Sequence, residues 1–426
     1  MADFDKKSLT AEFLGSFALL FAAELLSLFK SDIFSYGLAL SLTYAVVTTA
    51  LHQYRDVQLN PILTVIDVLS GRVKVKSAMV TIVLQFAGAA LGALLSALIC
   101  GESGILPAGV EGAVSSKILL AQLVFCSTLA FAHIETSADT GQLSGVAVGL
   151  VTYAAYTATF GLSGYLNPAV ALGTNIGNAL QGTSISYSQF ASFVVIPFLA
   201  AVAGWGAYKL AYDNLLMAEF FSSLAFTYCA CCAMTGDIDG ANTALSIGCM
   251  AAALIYAIGW KSGGALNPAI TLGTLVAGHS RVPDMLLYCF FQCGAGVLGA
   301  VLARYTMGPL DLFNLLSSGT KSYDLLMLFL FSMLLMAAYI LTFGDLFGRP
   351  AGAVIGAVYT VFHFISAKAV TLNVQTAVGI IVSQLLLNGY AEDWGSALAS
   401  VSIPILGCLV ASGLLAFLPS QYQRHA

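Results

Sequence analysis

Ser262-Gly263-Gly264-Ala265-Leu266-Asn267-Pro268-Ala269-Ile270-Thr271 is the stretch on which the fold turns. Asn is a favoured N-cap, and Pro suits the first helical position, where its missing N–H removes no intrahelical bond. A helix therefore starts at Pro268. The apolar run after it is too short to cross a bilayer, which takes about 20 residues of helix. It stops at Gly278, glycine being favoured just past a helix end. Non-helical backbone leading into half a helix at membrane depth is tolerated only where protein or a water-filled cavity satisfies its polar groups. The segment predicts a pore.

Its surroundings agree. Hydrophobic residues make up 59% of the 426-residue chain and charged residues only 9%, too little polar surface to coat a soluble globule of that length. Long apolar runs recur at Leu9 to Phe29, Phe34 to Leu51, Met79 to Ile99, Ile118 to Ala132, Val146 to Phe160 and Phe190 to Leu210. The series then repeats from Leu215 to Leu418, predicting about twelve spans in all. The first run carries Glu12 and has no small-residue cleavage site behind it, so it is expected to be retained as a helix.

The repeat is literal. Ala11-Glu12-Phe13 returns as Ala218-Glu219-Phe220, an offset of 207 that also relates Asn60 to Asn267, Gln85 to Gln292, Gly92 to Gly299 and Pro197 to Pro404. Asn167 and Asn373 differ by 206. A weaker repeat inside each half relates Asn60 to Asn167 and Asn267 to Asn373. The expected fold is all-α and integral to the membrane, with one unit in residues 1–213 and a second in 214–426. Each would hold six transmembrane helices and two re-entrant half-helices. Because each quarter has three spans, successive quarters must insert in opposite orientations, the inverted-repeat plan that puts a site near the membrane midplane.

Four segments carry the pore signature: Asn60-Pro61-Ile62, Asn167-Pro168-Ala169, Asn267-Pro268-Ala269 and Asn373-Val374-Gln375. The first three predict half-helices ending at Gly71, Gly177 and Gly278. The fourth keeps Asn, loses proline and places a long Gln at the Ala position, where it is expected to narrow the second pore or add a hydrogen-bonding group. Two half-helices meeting by their N-termini concentrate positive dipole ends and two Asn amides at the midplane. Such a centre repels cations and protons while neutral solutes still hydrogen-bond.

These residues resemble the aquaporin (major intrinsic protein) family over essentially the whole chain, twice. Ala11-Glu12-Phe13-Leu14-Gly15 looks like the family's first helix, Gln85-Phe86-Ala87-Gly88-Ala89 like its third, and Ser262 to Thr271 like its first pore loop. The resemblance implies a passive channel for water or small neutral solutes, and two chains supplying the usual four pores. It also implies a loop-supporting role for Glu12 and Glu219, with Gln122 as the uncharged fourth-helix counterpart in unit one.

Members selective for water place an Arg after the second signature; here Val170 and Thr376 stand there. Counting from each signature puts the other filter positions near Leu40, Ala155 and Gly164 in the first unit and near Ile247, Val361 and Val370 in the second. Both filters read as apolar and uncharged, predicting passage of glycerol-like solutes besides water. Unit one, with both signatures intact, is the expected conductor.

If both termini are cytoplasmic, Lys6, Lys7, Arg72, Lys74, Lys76, Lys209, Lys261 and Arg281 fall inside with Arg55, Arg349 and Arg424, and only the other five Lys and Arg fall outside, as the positive-inside rule expects. Asp67 is expected to face the cytoplasmic vestibule. His52 and His363 are read as solvated or packed helix-end residues, and Lys368 as an interfacial lysine. The nine cysteines, mostly in apolar runs, are read as packed free thiols. Neither cofactor, metal nor nucleic acid is expected, and no enzyme-like cluster of nucleophile, base and orienting group stands out. The main alternative is a non-conducting structural subunit of a larger membrane assembly; an ion-coupled transporter would need charges at the midplane that the sequence lacks.

Overall fold

The computed structural model describes residues 6–29, 33–51, 57–100, 115–139, 143–159, 165–180, 182, 187–236, 238–309, 321–343, 351–366, 370–388 and 394–416. Among them the chain is helical throughout and divides into two compact units, Met1–Lys209 and Leu210–Ala426. Unit 1 contains α1 (Lys6–Phe29), α2 (Ile33–Leu51), α3 (Pro61–Leu69), α4 (Val75–Cys100), α5 (Ser116–Asp139), α6 (Ser144–Ala158), α7 (Pro168–Leu180) and α8 (Tyr187–Ala211). Unit 2 repeats the order with α9 (Leu215–Thr235), α10 (Gly240–Ser262), α11 (Pro268–Val276), α12 (Val282–Met307), α13 (Lys321–Phe343), α14 (Ala351–Ser366), α15 (Val374–Asn388) and α16 (Trp394–Leu415).

Ten of these are long and apolar enough to cross a membrane. The two missing from the expected twelve are the fifth long helices of the units, α6 with 15 residues and α14 with 16. Each is followed closely by residues outside the described set. Apolar side chains cover the outward faces, with Phe290 74% and Leu98 73% exposed, as lipid rather than water requires.

Small residues let the helices approach. A Cβ at Gly88 of α4 would lie 2.2 Å from Phe13 O of α1, and one at Gly299 of α12 would lie 2.8 Å from Leu224 O of α9. Without a hydrophobic drive between helices in lipid, this close packing is what holds them together. The same device pairs α2 with α6, through Gly149 on Ser41 O, and α10 with α14, through Gly356 on Gly248 O.

The half-helices α3, α7, α11 and α15 start at Pro61, Pro168, Pro268 and Val374. Gly71 and Gly278 follow α3 and α11 with φ of 73° and 78°, as expected. Gly177 does not end its helix. α7 runs through it to Leu180, because Asn178, Ala179 and Leu180 all tolerate helix and the left-handed residue is Gly182, φ 75°.

Candidate functional site

Just before each leading half-helix the backbone makes a turn that its residue type disfavours. Leu59 and Leu266 have φ of 54° and 47°, in the left-handed region that a bulky side chain normally avoids. A buried carboxylate holds each in place. Glu12 accepts from Gln58 N at 2.7 Å and Leu59 N at 2.9 Å, and Glu219 accepts from Ala265 N at 3.2 Å and Leu266 N at 3.0 Å. Gln85 and Gln292 each donate to the same carboxylates at 2.9 Å, and each also bonds the half-helix, through Thr64 and Thr271. A Glu, a Gln and a Thr thus form the same cradle in each unit.

With their N–H groups pinned, the two leucines point their carbonyls across the unit. Leu59 O accepts from Asn167 Nδ2 at 2.7 Å, while Asn60 Nδ2 donates to Leu166 O at 3.0 Å. In unit 2, Asn373 Nδ2 donates to Leu266 O at 2.6 Å and Asn267 Nδ2 to Leu372 O at 3.1 Å. Each Asn Oδ1 meanwhile caps its own half-helix: Asn60 at Ile62 N, Asn167 at Ala169 N, Asn267 at Ala269 N and Asn373 at Thr376 N. One side chain thus caps a helix and ties it to its opposite number.

In unit 1 these amides open onto a cavity with about 20 Å³ of room for the centres of water-sized molecules, lined by Leu19, Leu40, Tyr44, Asn60, Val148, Thr152, Tyr156, Tyr165, Leu166, Asn167 and Val170. Leu40 and Val170, expected at the filter, line it. Ala155 is buried and is not among the lining residues, whereas its neighbour Tyr156 is. Gly164 lies outside the described residues, as do His52 and Lys368. Three tyrosines that sequence counting passed over, Tyr44, Tyr156 and Tyr165, are among the residues that line it. Tyr44 donates to Gln58 O, and Tyr156 and Tyr165 pack on Tyr36 with ring centroids 5.7 and 6.5 Å away.

Unit 2 departs from expectation at three points. Val361 is 48% exposed and shares the outer face of α14 with Val354, Phe364 and Ile365, so it is no filter residue. Gly352 and Gly356, packed on α10, fix the rotation of α14, and the residue 207 after Tyr156 is the buried His363. Counting back from Asn373 missed this by two residues: the count fell one short of Tyr156 already in unit 1, and the intervening stretch is one residue shorter in unit 2. Gln375 does not project into the centre; its amide donates to Ser223 O at 3.3 Å and Thr227 Oγ1 at 3.5 Å, packing it against α9. The lost proline leaves Val374 with an N–H, which donates to Asn267 Oδ1 at 3.2 Å, so the helix start survives. Ile247 and Val370 are buried, and buried Thr376 shares a hydrogen bond with Thr227 at 3.2 Å.

Asp67 does not face a vestibule. It is 3% exposed and holds Arg72 at 2.7 Å, His133 at 3.1 Å and Gln58 Nε2 at 2.7 Å, while His133 Nδ1 meets Ser144 at 2.8 Å. The cluster ties α3 and the turn after it to α5 and α6; unit 2 has Thr274 and His279 at the positions of Asp67 and Arg72. Gln122 is fully buried, and no partner for its amide is found among the described residues. Cys229, Cys231 and Cys232 are buried free thiols.

Units of this kind, in which half-helices meet by their N-termini through crossed asparagine bonds among long apolar helices, define an inverted-repeat, multi-pass membrane protein with broken helices. The chain belongs to the major intrinsic protein family, whose model matches residues 2–212 and again 206–418. Among curated proteins it is similar to the lens fiber major intrinsic protein of Gallus gallus, 37% identical over 106 residues, covering 23% of this chain and 40% of that protein. It is also similar to aquaporin NIP1-4 of Oryza sativa subsp. japonica, 31% identical over 100 residues (22% of this chain, 37% of that protein). Aquaporin Z of Brucella melitensis is 36% identical over 97 residues (21% and 41%). The chain thus spans about two fifths of the length of these relatives.

Proposed function

We propose that the chain is a passive membrane channel for water and small neutral solutes and that unit 1 is its conducting path. The observation that carries this reading is the unit 1 cavity, onto which Asn60 and Asn167 both open. A primary amide has two N–H groups. One from each Asn is spent on the opposite leucine carbonyl, leaving the second for an occupant of the cavity. The positive ends of α3 and α7 meet at the same place, which disfavours cations and leaves neutral hydrogen-bond acceptors welcome. The lining combines aliphatic, Tyr, Thr and Asn side chains and, among the described residues, has no Asp, Glu, Lys or Arg.

Val170 stands where a water-selective relative would carry Arg, so the wall lacks a fixed donor and a positive charge. Glycerol and urea are therefore expected to pass with water. Stopped-flow swelling of proteoliposomes in water, glycerol and urea gradients tests this, and swelling by water alone would overturn the relaxed filter. Positive charge on the proposed inner side supports cytoplasmic termini. Two chains, each with two units, would supply the four pores usual in the family; a native mass of one chain would overturn that assembly.

A further inference from the structure

We infer that the second unit is a closed pore, stopped at its centre by Tyr359 backed by Phe226. This goes beyond the reading of unit 1 as the conductor and does not depend on it. The positions follow from helix register: Gly149 on Ser41 O and Gly356 on Gly248 O are the same contact 207 residues apart, which aligns α6 with α14 without reference to the loops. Thr152, on the wall of the unit 1 cavity, then corresponds to Tyr359, and Leu19, also on that wall, corresponds to Phe226. Two non-aromatic residues of the unit 1 wall thus align with two aromatic rings in unit 2.

Those rings sit together at the crossing of the half-helices. The Phe226 and Tyr359 centroids are 5.2 Å apart, and both side chains are buried. The Tyr359 hydroxyl accepts from Asn267 Nδ2 and from Asn373 Nδ2, each at 3.3 Å. It therefore occupies the place a permeating water would take between the two amides, and it takes up the second N–H of both. Asn373 is fully buried, whereas its unit 1 counterpart Asn167 retains 8% exposure. A permeant at this point would have to displace a covalently held hydroxyl and two packed rings, where in unit 1 it only exchanges with another small molecule. The lost proline and the Gln at residue 375, which drew attention in the sequence, play no part in the closure: one is compensated by Val374 N–H and the other is packed against α9.

The test is water flux through proteoliposomes holding equal amounts of the full chain as wild type, Tyr359→Trp, Tyr359→Thr and Phe226→Leu/Tyr359→Thr, with thermal melting in detergent to confirm that each is folded. Tyr359→Trp is expected to match wild type, since a larger stopper in a closed pore changes nothing. The double variant, which gives unit 2 the unit 1 residues at these two positions, is expected to raise flux about twofold, as two parallel pores would, with the single Tyr359→Thr intermediate. Tyr359→Trp halving the flux, or folded Tyr359→Thr and double variants both leaving it at the wild-type level, would overturn the closed pore. If wild type is no more permeable than empty vesicles and the double variant is permeable, the closed pore stands and the conducting role of unit 1 falls. The two readings are thus separable.

Discussion

Glu12 does its work through the two backbone N–H groups of Gln58 and Leu59. An amide oxygen at that position accepts one of them and turns an NH₂ toward the other, so Glu12→Gln is expected to leave one buried donor unsatisfied, costing about 1–3 kcal/mol. The thermal midpoint in detergent reads this directly, and an unchanged midpoint would contradict the cradle. Val374→Pro runs the other way. It removes the N–H bonded to Asn267 but supplies a residue preset for the first helical turn, so stability is expected to stay within about 1 kcal/mol. Flux should not change, because restoring the signature leaves the Tyr359 stopper in place; a flux increase would locate the closure at Val374 instead. The capping asparagines and the two glutamates were legible in the sequence because they recur at a fixed offset. Tyr156 and Tyr359 were not, since which face of α6 or α14 looks inward is set by glycine contacts with the neighbouring helix rather than by distance from the signature.

Element ends show the same division. Three half-helix starts were readable from Asn and Pro, and two of their ends from glycine, but α7 outlasts Gly177 because a helix tolerates one glycine at a cost of about 1 kcal/mol. At the start of α10, Asp239 caps Asn242 N at 2.9 Å and Asn242 Nδ2 at 2.7 Å. Slight burial alone would raise its pKa, yet these bonds to the ionised form hold it below the ordinary carboxylate value. Its contribution is thus full above the unfolded-state value and fades as pH falls through the lower folded one. Asp239→Ala is expected to cost about 1 kcal/mol at pH 7, and the gap from wild type should shrink in strongly acidic buffer; melting curves at the two pH values check it. Gly88→Val, by contrast, places a Cβ against Phe13 O and is expected to lower the midpoint by the equivalent of about 1–3 kcal/mol at any pH.

At the scale of the molecule, duplication was the most legible property, because gene-level repetition leaves both units with the same cradle, the same crossed asparagines and the same glycine contacts. What the sequence concealed is that the two centres have diverged. The four signatures suggested that any difference would lie in the fourth, whereas the structure puts it on helices remote in sequence, where Phe226 and Tyr359 of unit 2 stand at the positions of Leu19 and Thr152 of unit 1. On the proposed reading unit 1 alone carries the flux. Val170 lines its cavity, and a Trp there would fill space beside both asparagines without touching the cradle. Proteoliposomes with folded Val170→Trp are expected to lose water permeability by ~10-fold or more relative to wild type, as plugging the single open path requires. Permeability equal to that of wild type would contradict conduction through unit 1.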